Sequence, residues 1–144
     1  MNSSLIYHFE EAIAAFKAKR AGDDGLTYRP FYFNVFLKSF LEYLENDSRL
    51  IERFLDVETR LQFISVPRRG ANLRNTCGAH KIDMPRQNVG ARDGYRIIYY
   101  PHIPGEIHFL MIFSKADQPD LTSEDEKLCC AIIDEIKRQK AGRA

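Results

Sequence analysis

The sequence contains 144 residues, of which 44% are hydrophobic and 28% are charged, and these values predict one globular domain that can bury its own core. A chain of this length is too short for a multidomain enzyme. The 21 lysines and arginines nearly balance the 20 aspartates and glutamates, so the formal net charge is +1, and this total alone argues against a nucleic-acid-binding protein.

The first half of the chain has mainly helical patterns. Apolar side chains recur at the helical period over residues 4–20, with Gly22 beyond them, and predict an N-terminal helix. The aromatic-rich residues 28–34 predict a short strand. Two further apolar stripes, separated by the cap-forming residues 46–48, predict a helical hairpin over residues 35–62.

The second half predicts strands. Residues 67–93 are polar, basic and interrupted by glycine and proline, which predicts a loop with a short strand near Leu73. Residues 95–100 and 107–113 are β-branched and aromatic, and residues 101–105 predict the turn of an antiparallel hairpin between them. Both strands are apolar at neighbouring positions, as expected where helices cover one face of the sheet and the other is only partly exposed to water.

A last helix is predicted near the C-terminus from an acidic first turn, an apolar stripe and basic residues at its end. Ser123 with Glu126 can form its capping box, and so can Thr122 with Asp125. The fold class is therefore α+β, with a small antiparallel β-sheet packed against an N-terminal helical hairpin and a C-terminal helix. We divide the chain into an N-terminal helical extension and a main domain, residues 1–28 and 29–144.

Several classes of protein and site are not expected. No apolar run approaches the roughly 18 residues that a membrane helix needs, and the N-terminus lacks a signal-peptide pattern. Cys77, Cys129 and Cys130 are odd in number, with neither CxxC nor zinc spacing, so we expect no disulfide framework and no zinc site. Phosphate-loop, HExxH and GxSxG motifs are absent. We expect a soluble cytoplasmic protein.

Positive charge is concentrated in the middle of the chain. Residues 65–115 contain 8 basic and 3 acidic residues, a net charge of +5, whereas each flank carries −2. Arginine predominates, and its planar fork matches phosphate oxygens. Tyr95, Tyr99 and Tyr100 offer faces on which unpaired bases can stack. The alternative is a solvated loop with surface charges. The basic segment also contains Arg74 and Arg96. The candidate RNA-binding residues are Arg68, Arg69, Lys81, Arg86, Arg92, Tyr95 and Tyr100.

Arg96 lies inside a predicted strand, where a charge is costly unless it is paired or faces a cleft. Antiparallel pairing across the predicted turn would bring Lys115 close to the start of this strand, where the two cations could bind one phosphate. The alternatives are an arginine paired with Asp93 or Glu106, and a surface lysine. Alternation predicts two faces of the strand, one with Arg96, Ile98 and Tyr100 and the other with Tyr95, Ile97 and Tyr99.

Histidines supply a further candidate group. His80 in the basic segment is the candidate for proton transfer. His102 and His108 flank the predicted turn, and a metal site there would need Glu106 as a third ligand. Lone histidines are more often structural or exposed, so we expect neither a metal nor another cofactor.

Two stretches have the pattern of a known family. Residues 94–100 read Gly-Tyr-Arg-Ile-Ile-Tyr-Tyr, and residues 115–122 read Lys-Ala-Asp-Gln-Pro-Asp-Leu-Thr. The first resembles a core strand, and the second the segment before the last helix, in the RelE/HigB toxins of bacterial type II toxin–antitoxin systems (RelE/ParE superfamily). Asn72-Leu73-Arg74 is similar to the Gly-Leu-Arg that opens the first core strand of that family. The likeness covers residues 70–139 and is only topological over 31–69.

The resemblance implies a ribosome-dependent mRNA endonuclease, or mRNA interferase, that needs no metal. The mRNA 2′-OH attacks the adjacent phosphate, while basic side chains stabilise the transition state. It also implies neutralisation by a cognate antitoxin, often a helix-turn-helix protein. Position by position, Arg96, Lys115 and Arg74 match the family's phosphate-contacting strand arginine, its lysine after the second strand and its first-strand arginine. Arg86 and Arg92 represent its basic loop.

The chain departs from the family pattern. Asn75 and Cys77 stand where many members have basic residues, and Ala116 and Thr122 stand where some have arginine and tyrosine. The general acid and base remain open among His80, Lys81 and Tyr95. The candidate catalytic residues are Arg96, Lys115, Arg74 and His80.

Other interpretations remain open. One is a non-nucleolytic toxin or interaction protein of the same fold that acts by protein binding, as the related ParE toxins act on DNA gyrase. Another is an RNA-binding domain without toxicity. The apolar face over residues 4–20 is expected to pack on the domain's own core, with homodimerisation or antitoxin docking as the alternative. No membrane partner is expected.

Overall fold

The structure, a computed structural model, describes residues 29–63, 71–86, 94–102 and 105–141. The helix predicted over residues 4–20 lies outside them. The predicted helical hairpin, β-hairpin and C-terminal helix are confirmed. The strands in these ranges are β1 (Arg29–Tyr32), β2 (Ala71–Asn72), β3 (His80–Met84), β4 (Tyr95–His102) and β5 (Glu106–Ser114). The helices are α1 (Asn34–Leu44), α2 (Leu50–Phe63) and α3 (Ser123–Ala141).

The strands form one sheet in the order β1-β5-β4-β3-β2. β1 runs parallel to β5, and the other neighbouring pairs are antiparallel. The α+β prediction is confirmed, but the prediction of an antiparallel sheet is wrong because the sheet is mixed. The physical reason is the connection: α1, α2 and three strands separate β1 from β5 along the chain, and parallel pairing requires a long connection of this kind.

Helices cover both faces of the sheet. α1 and α2 pack on the face with Tyr95, Ile97 and Tyr99, and α3 packs on the face with Ile98 and Tyr100. The predicted alternation along β4 is therefore confirmed. The second face is covered by α3 at Ile98 and Tyr100 and stays partly exposed at Asp83 and Arg96, as predicted, and cover on both sides explains why β4 and β5 are apolar at consecutive positions.

The segment predicted as a basic loop contains β3, which pairs with β4 along its whole length. Ile82 and Met84 pack in the core beneath α1 and α2, whereas Lys81 and Asp83 point to the opposite face by alternation. The loop prediction is wrong here. Ile82 and Met84 alternate with Lys81 and Asp83, which is the period-two pattern of a strand, but the charged residues made the segment look like a loop. Arg74 lies in the turn between β2 and β3 and not on a strand, contrary to what the resemblance implied.

Cys77 and Cys130 form a disulfide bond with a sulfur–sulfur distance of 2.09 Å. The bond joins the turn before β3 to α3, across 53 residues of sequence. The expectation that the cysteines would not be bridged is wrong because contact between two distant elements sets this pairing, and cysteine spacing does not reveal such contact. Cys129 keeps a free, buried thiol, and burial raises its pKa to about 11.

A reciprocal pair of hydrogen bonds fixes the start of α3. Thr122 Oγ1 accepts from the Asp125 N–H at 3.1 Å, and Asp125 Oδ2 accepts from the Thr122 N–H at 3.1 Å. Of the two capping boxes that the sequence allowed, the structure contains this one. The cap holds the end of the β5–α3 connection, two residues after Asp120.

Candidate functional site

Four charged side chains meet where β4 begins and β5 ends. The Arg96 guanidinium lies 3.5 Å from Asp83 Oδ1 through Nε and 3.2 Å from Asp120 Oδ1 through Nη1. Lys115 Nζ lies 2.9 Å from Asp83 Oδ2. We call this group the charge cluster: Asp83, Arg96, Lys115 and Asp120.

Strand pairing brings the cluster together. The β3–β4 register places Asp83 directly opposite Arg96. The Lys115 N–H donates to Gly94 O at 2.9 Å, so the predicted closeness of Lys115 to the start of β4 is confirmed. Gly94 is required there because a Cβ atom at this position would lie 2.2 Å from Met84 O, a distance that only displacement of the strands could relieve.

The charge cluster is neutral, since two cations face two carboxylates. The side chains of Arg96 and Lys115 are 14% and 15% exposed, whereas those of Asp83 and Asp120 are 40% and 73% exposed. The carboxylates are thus the more accessible half of each pair. A phosphate that binds both cations must therefore replace carboxylate oxygens.

Two predicted catalytic residues lie away from the charge cluster. Arg74 is exposed in the turn before β3, and His80 begins that strand. Asp83 lies three residues further along, or about 10 Å at the usual rise of a strand. His80 also faces the opposite side of the sheet, where its ring stacks on Tyr99 with centroids 5.7 Å apart. The structure therefore brings neither residue to Arg96.

The three tyrosines of β4 are buried. Tyr95, Tyr99 and Tyr100 are 2%, 0% and 8% exposed, and their rings belong to the two core layers. The prediction that bases stack on them is wrong because β4 lies inside the sheet and helices cover both of its faces.

A polar cavity of about 560 Å³ lies on the α1 side of β4. Arg86, predicted to bind RNA, lines this cavity and not the charge cluster. Its Nε atom is buried and has no hydrogen-bond partner among the described residues. We call this space the tyrosine cavity, and its lining residues are Ser39, Glu42, Tyr43, Asn46, Asp47, Arg86, Tyr95, Ser114 and Asp117.

Hydrogen bonds hold the polar groups of the tyrosine cavity. Tyr43 OH donates to Asp117 Oδ2 at 3.0 Å and accepts from the Ser114 N–H at 2.9 Å. Tyr95 OH donates to Asp47 Oδ2 at 3.1 Å. Burial raises the pKa of both tyrosines, and the neighbouring carboxylate raises that of Tyr95 further. Both hydroxyls therefore keep their protons at neutral pH.

A second polar group lies at the opposite end of β5. Glu106 binds Lys140 and also His108 Nε2, the latter at 2.9 Å. The alternative pairing of Arg96 with Glu106 is therefore wrong. Burial lowers the pKa of His108; burial would raise that of Glu106, but hydrogen bonds from Lys140 and His108 outweigh it and lower that pKa. Within the described ranges, no three histidine, cysteine, aspartate or glutamate side chains are grouped to hold a metal.

Sequence reasoning missed the carboxylates of the charge cluster. The period-two alternation of β3, which puts Lys81 on the same face as Asp83 and Arg96, was the available signal for the first carboxylate. Asp120 had no local signal because it reaches Arg96 from the β5–α3 connection. Three candidate RNA-binding residues lie outside the described residues: Arg68, Arg69 and Arg92.

Two comparisons with known proteins found no match. No protein-family model matches the chain, and no curated protein matches it. Among the helices of the described ranges, none is both long and apolar enough to cross a membrane. The resemblance to the RelE/HigB toxins therefore stays a prediction from the motifs at residues 72–74, 94–100 and 115–122.

Proposed function

We propose that the protein is the toxin of a type II toxin–antitoxin system, a RelE/HigB-like mRNA interferase that cleaves ribosome-bound mRNA and so inhibits translation. The observation that carries the proposal is that Arg96 and Lys115 bind the same carboxylate, 3.5 and 2.9 Å from its two oxygens. These cations come from the two motifs that resemble the family. The α+β order of the elements agrees with that resemblance.

The proposed reaction is an intramolecular transesterification at a phosphodiester of the RNA. The 2′-OH loses its proton and attacks the adjacent phosphate, a cyclic phosphate forms, and the 5′-oxygen of the next nucleotide leaves with a proton. Arg96 and Lys115 would stabilise the negative charge that develops on the phosphate oxygens. Arginine can bind two of these oxygens at once.

For this reaction, the phosphate takes the place of the carboxylates on the two cations. The carboxylates of Asp83 and Asp120 are 40% and 73% exposed, whereas the Arg96 and Lys115 side chains are only 14% and 15% exposed. Because largely buried cations need an anionic partner, a phosphodiester that takes the place of the carboxylates would keep both cations paired. Among the candidates for proton transfer, Lys81 shares the face of Arg96 by alternation, which favours it over His80 and Tyr95.

The proposal is tested by inducible expression in a bacterial host, with growth and protein synthesis as the readouts. Wild-type protein is expected to stop growth, and Arg96→Glu is expected to abolish this effect because a negative charge repels the phosphate. Arg138→Glu is the matched control, since Arg138 is exposed on α3 and pairs locally with Glu135. Growth arrest by a folded Arg96→Glu protein equal to that of the wild type would contradict the proposed site.

A second candidate function is that of a non-nucleolytic toxin or interaction protein of the same fold. The neutral charge cluster favours it, because Arg96 and Lys115 already have carboxylate partners, as in an ion pair that only holds strands together. Such a protein would act by binding another protein, for example DNA gyrase. Growth arrest with intact mRNA, and with DNA damage that depends on gyrase, would favour this candidate.

The same proposal includes partners and a location. A cognate antitoxin of the helix-turn-helix class would neutralise the protein, a homodimer is a further expectation, and the location would be cytoplasmic. In a reducing cytoplasm the Cys77–Cys130 bond would be open to reduction. Co-expression of the neighbouring reading frame, with rescue of growth and co-purification as readouts, tests the antitoxin.

A further inference from the structure

We propose that the tyrosine cavity is a binding site for a guanine base, presented as a neutral nucleoside. This site is separate from the charge cluster, because Tyr95 and Arg96 point to opposite faces of the sheet. The inference therefore does not depend on the proposed endonuclease activity.

The size of the cavity suits a flat heterocycle. Met84, Tyr95 and Ser114 lie in one row across β3, β4 and β5. Arg86 follows the first of these strands and Asp117 follows the last. Two strand spacings, about 10 Å, separate Met84 from Ser114, so Arg86 and Asp117 enter the cavity from different sides of β4. The volume of the cavity, about 560 Å³, lies within the range of small-molecule sites and is large enough for a purine nucleoside.

Arg86 supplies hydrogen-bond donors at one wall of the tyrosine cavity. Arg86 Nε is buried in this wall without a hydrogen-bond partner among the described residues, and burying a polar group in this way is costly. A ligand that presents two adjacent acceptors would satisfy it once rotation of the guanidinium turns Nε towards the cavity. Guanine O6 and N7 are such a pair, and arginine binds them with two parallel hydrogen bonds.

The aspartate offers acceptors on the other side. Tyr43 and Ser114 hold Asp117 in place: Tyr43 OH donates to Oδ2 at 3.0 Å, and the Asp117 N–H donates to Ser114 Oγ at 3.1 Å. A carboxylate has about four acceptor positions, so it can also accept two N–H groups of a ligand. The Watson–Crick edge of guanine presents two such groups, N1–H and the 2-amino group.

The charge of the cavity disfavours an anionic ligand and favours a neutral one. Glu42, Asp47 and Asp117 contribute three carboxylates, whereas Arg86 and Arg53, which binds Asp47 at 3.2 Å, contribute two cations. The resulting excess of negative charge repels phosphate. A nucleoside is therefore expected to bind more tightly than the corresponding nucleotide.

Titration of the isotope-labelled full chain with guanosine, inosine and adenosine, followed by NMR, tests the inference. Guanosine is expected to shift the amide signals of Ser114 and Asp117. Inosine, which lacks the 2-amino group, is expected to bind about fivefold more weakly, the loss of about one hydrogen bond. Adenosine is expected to bind at least about tenfold more weakly, because it presents a donor to Arg86 and an acceptor to Asp117.

Variants test separately the contacts that Asp117 and Arg86 would make with the two edges of the base. Asp117→Asn should weaken guanosine binding and remove the difference between guanosine and inosine, whereas Arg86→Gln should weaken both by about tenfold. Asp134→Asn and Arg138→Gln, exposed positions on α3, are matched controls that should bind like the wild type. Thermal unfolding of each variant checks that it is folded.

Three outcomes would overturn the inference. They are no guanosine-dependent shift at Ser114 or Asp117, equal binding of guanosine and adenosine, and binding of a cation such as arginine in place of the nucleosides. Growth arrest or mRNA cleavage is measured separately with Arg96→Glu, so that failure of the guanine site and failure of the proposed endonuclease can be distinguished.

Discussion

Arg96 and Lys115 bind opposite oxygens of one carboxylate, that of Asp83, at 3.5 and 2.9 Å. Arg96 lies on β4 and Lys115 directly follows β5, 19 positions further along the sequence. Only the antiparallel register of β4 and β5, with the Lys115 N–H donated to Gly94 O, places them together. Arg96 and Lys115 therefore form a pair of cations that could bind one phosphate, and the Asp83 carboxylate occupies this position.

Replacement of Asp83 with asparagine should strengthen binding of single-stranded RNA. The change removes a negative charge that competes with phosphate for Arg96 and Lys115, and we expect a gain of about 1 kcal/mol, or about fivefold. Fluorescence anisotropy with a short labelled RNA at several salt concentrations measures it. Asp134→Asn removes the same charge elsewhere on the surface and is expected to have a smaller effect. Equal affinity of the wild type and Asp83→Asn would rule out this role of the aspartate.

Reduction of the Cys77–Cys130 disulfide should destabilise the protein. Closure of a loop of 53 residues constrains the unfolded chain and contributes about 4 kcal/mol in the chain-entropy model. Urea unfolding with and without dithiothreitol measures the difference. The double variant Cys77→Ser/Cys130→Ser should already have the lower stability and should not respond to the reductant. A wild-type protein with the same unfolding midpoint in both conditions would contradict the contribution assigned to this bond.

Acidification should destabilise the protein partly through His108. Its pKa in the folded protein is lower than the 6.5 of the unfolded chain, mainly because it is buried. Below about pH 6.5 the unfolded state therefore binds more protons, and the free energy of unfolding falls as pH falls. The lowered pKa of Glu106 acts in the same direction below 4.5, the usual value for a glutamate.

Urea unfolding at pH 7.5, 6.0 and 5.0 measures this dependence. His108→Gln should lose less stability than the wild type over this interval, because glutamine does not titrate. Identical pH slopes for the two proteins would show that His108 does not contribute.

The Thr122–Asp125 capping box should contribute measurably to stability. Thr122→Ala removes the side-chain oxygen that accepts from the Asp125 N–H at 3.1 Å, and loss of an N-cap costs about 1 kcal/mol. Ser123→Ala is the matched control, since Ser123 is the first residue of α3 and not its cap. Thermal unfolding of both variants distinguishes the two boxes, and a larger loss for Ser123→Ala would reverse the assignment.

Local patterns predicted much of the fold. The helical hairpin, β4, β5 and α3 follow from periodic burial within short segments, as the division of Tyr95 and Ile98 between two core layers illustrates. The parallel β1–β5 pair and the Cys77–Cys130 bond depend on contacts between distant segments, which no local period records.

The candidate site was predictable to a smaller extent. The hairpin register brought Lys115 to the start of β4 as expected. The charges of Asp83 and Asp120 were visible in the sequence, but their positions depended on β3 being a strand and on the path of the β5–α3 connection. Arg86 and Arg96 belong to one basic segment of the sequence. In the structure they lie on opposite faces of the sheet, because side chains alternate between the two faces along each strand.

The most direct test of the proposed function is cleavage of a defined mRNA in a bacterial translation extract, mapped by primer extension. The wild-type protein should cut the message only when ribosomes translate it, and Arg96→Glu should leave it intact under the same conditions, whereas Arg138→Glu should cut it like the wild type. An uncut message with folded wild-type protein, or equal cutting by Arg96→Glu, would contradict the account.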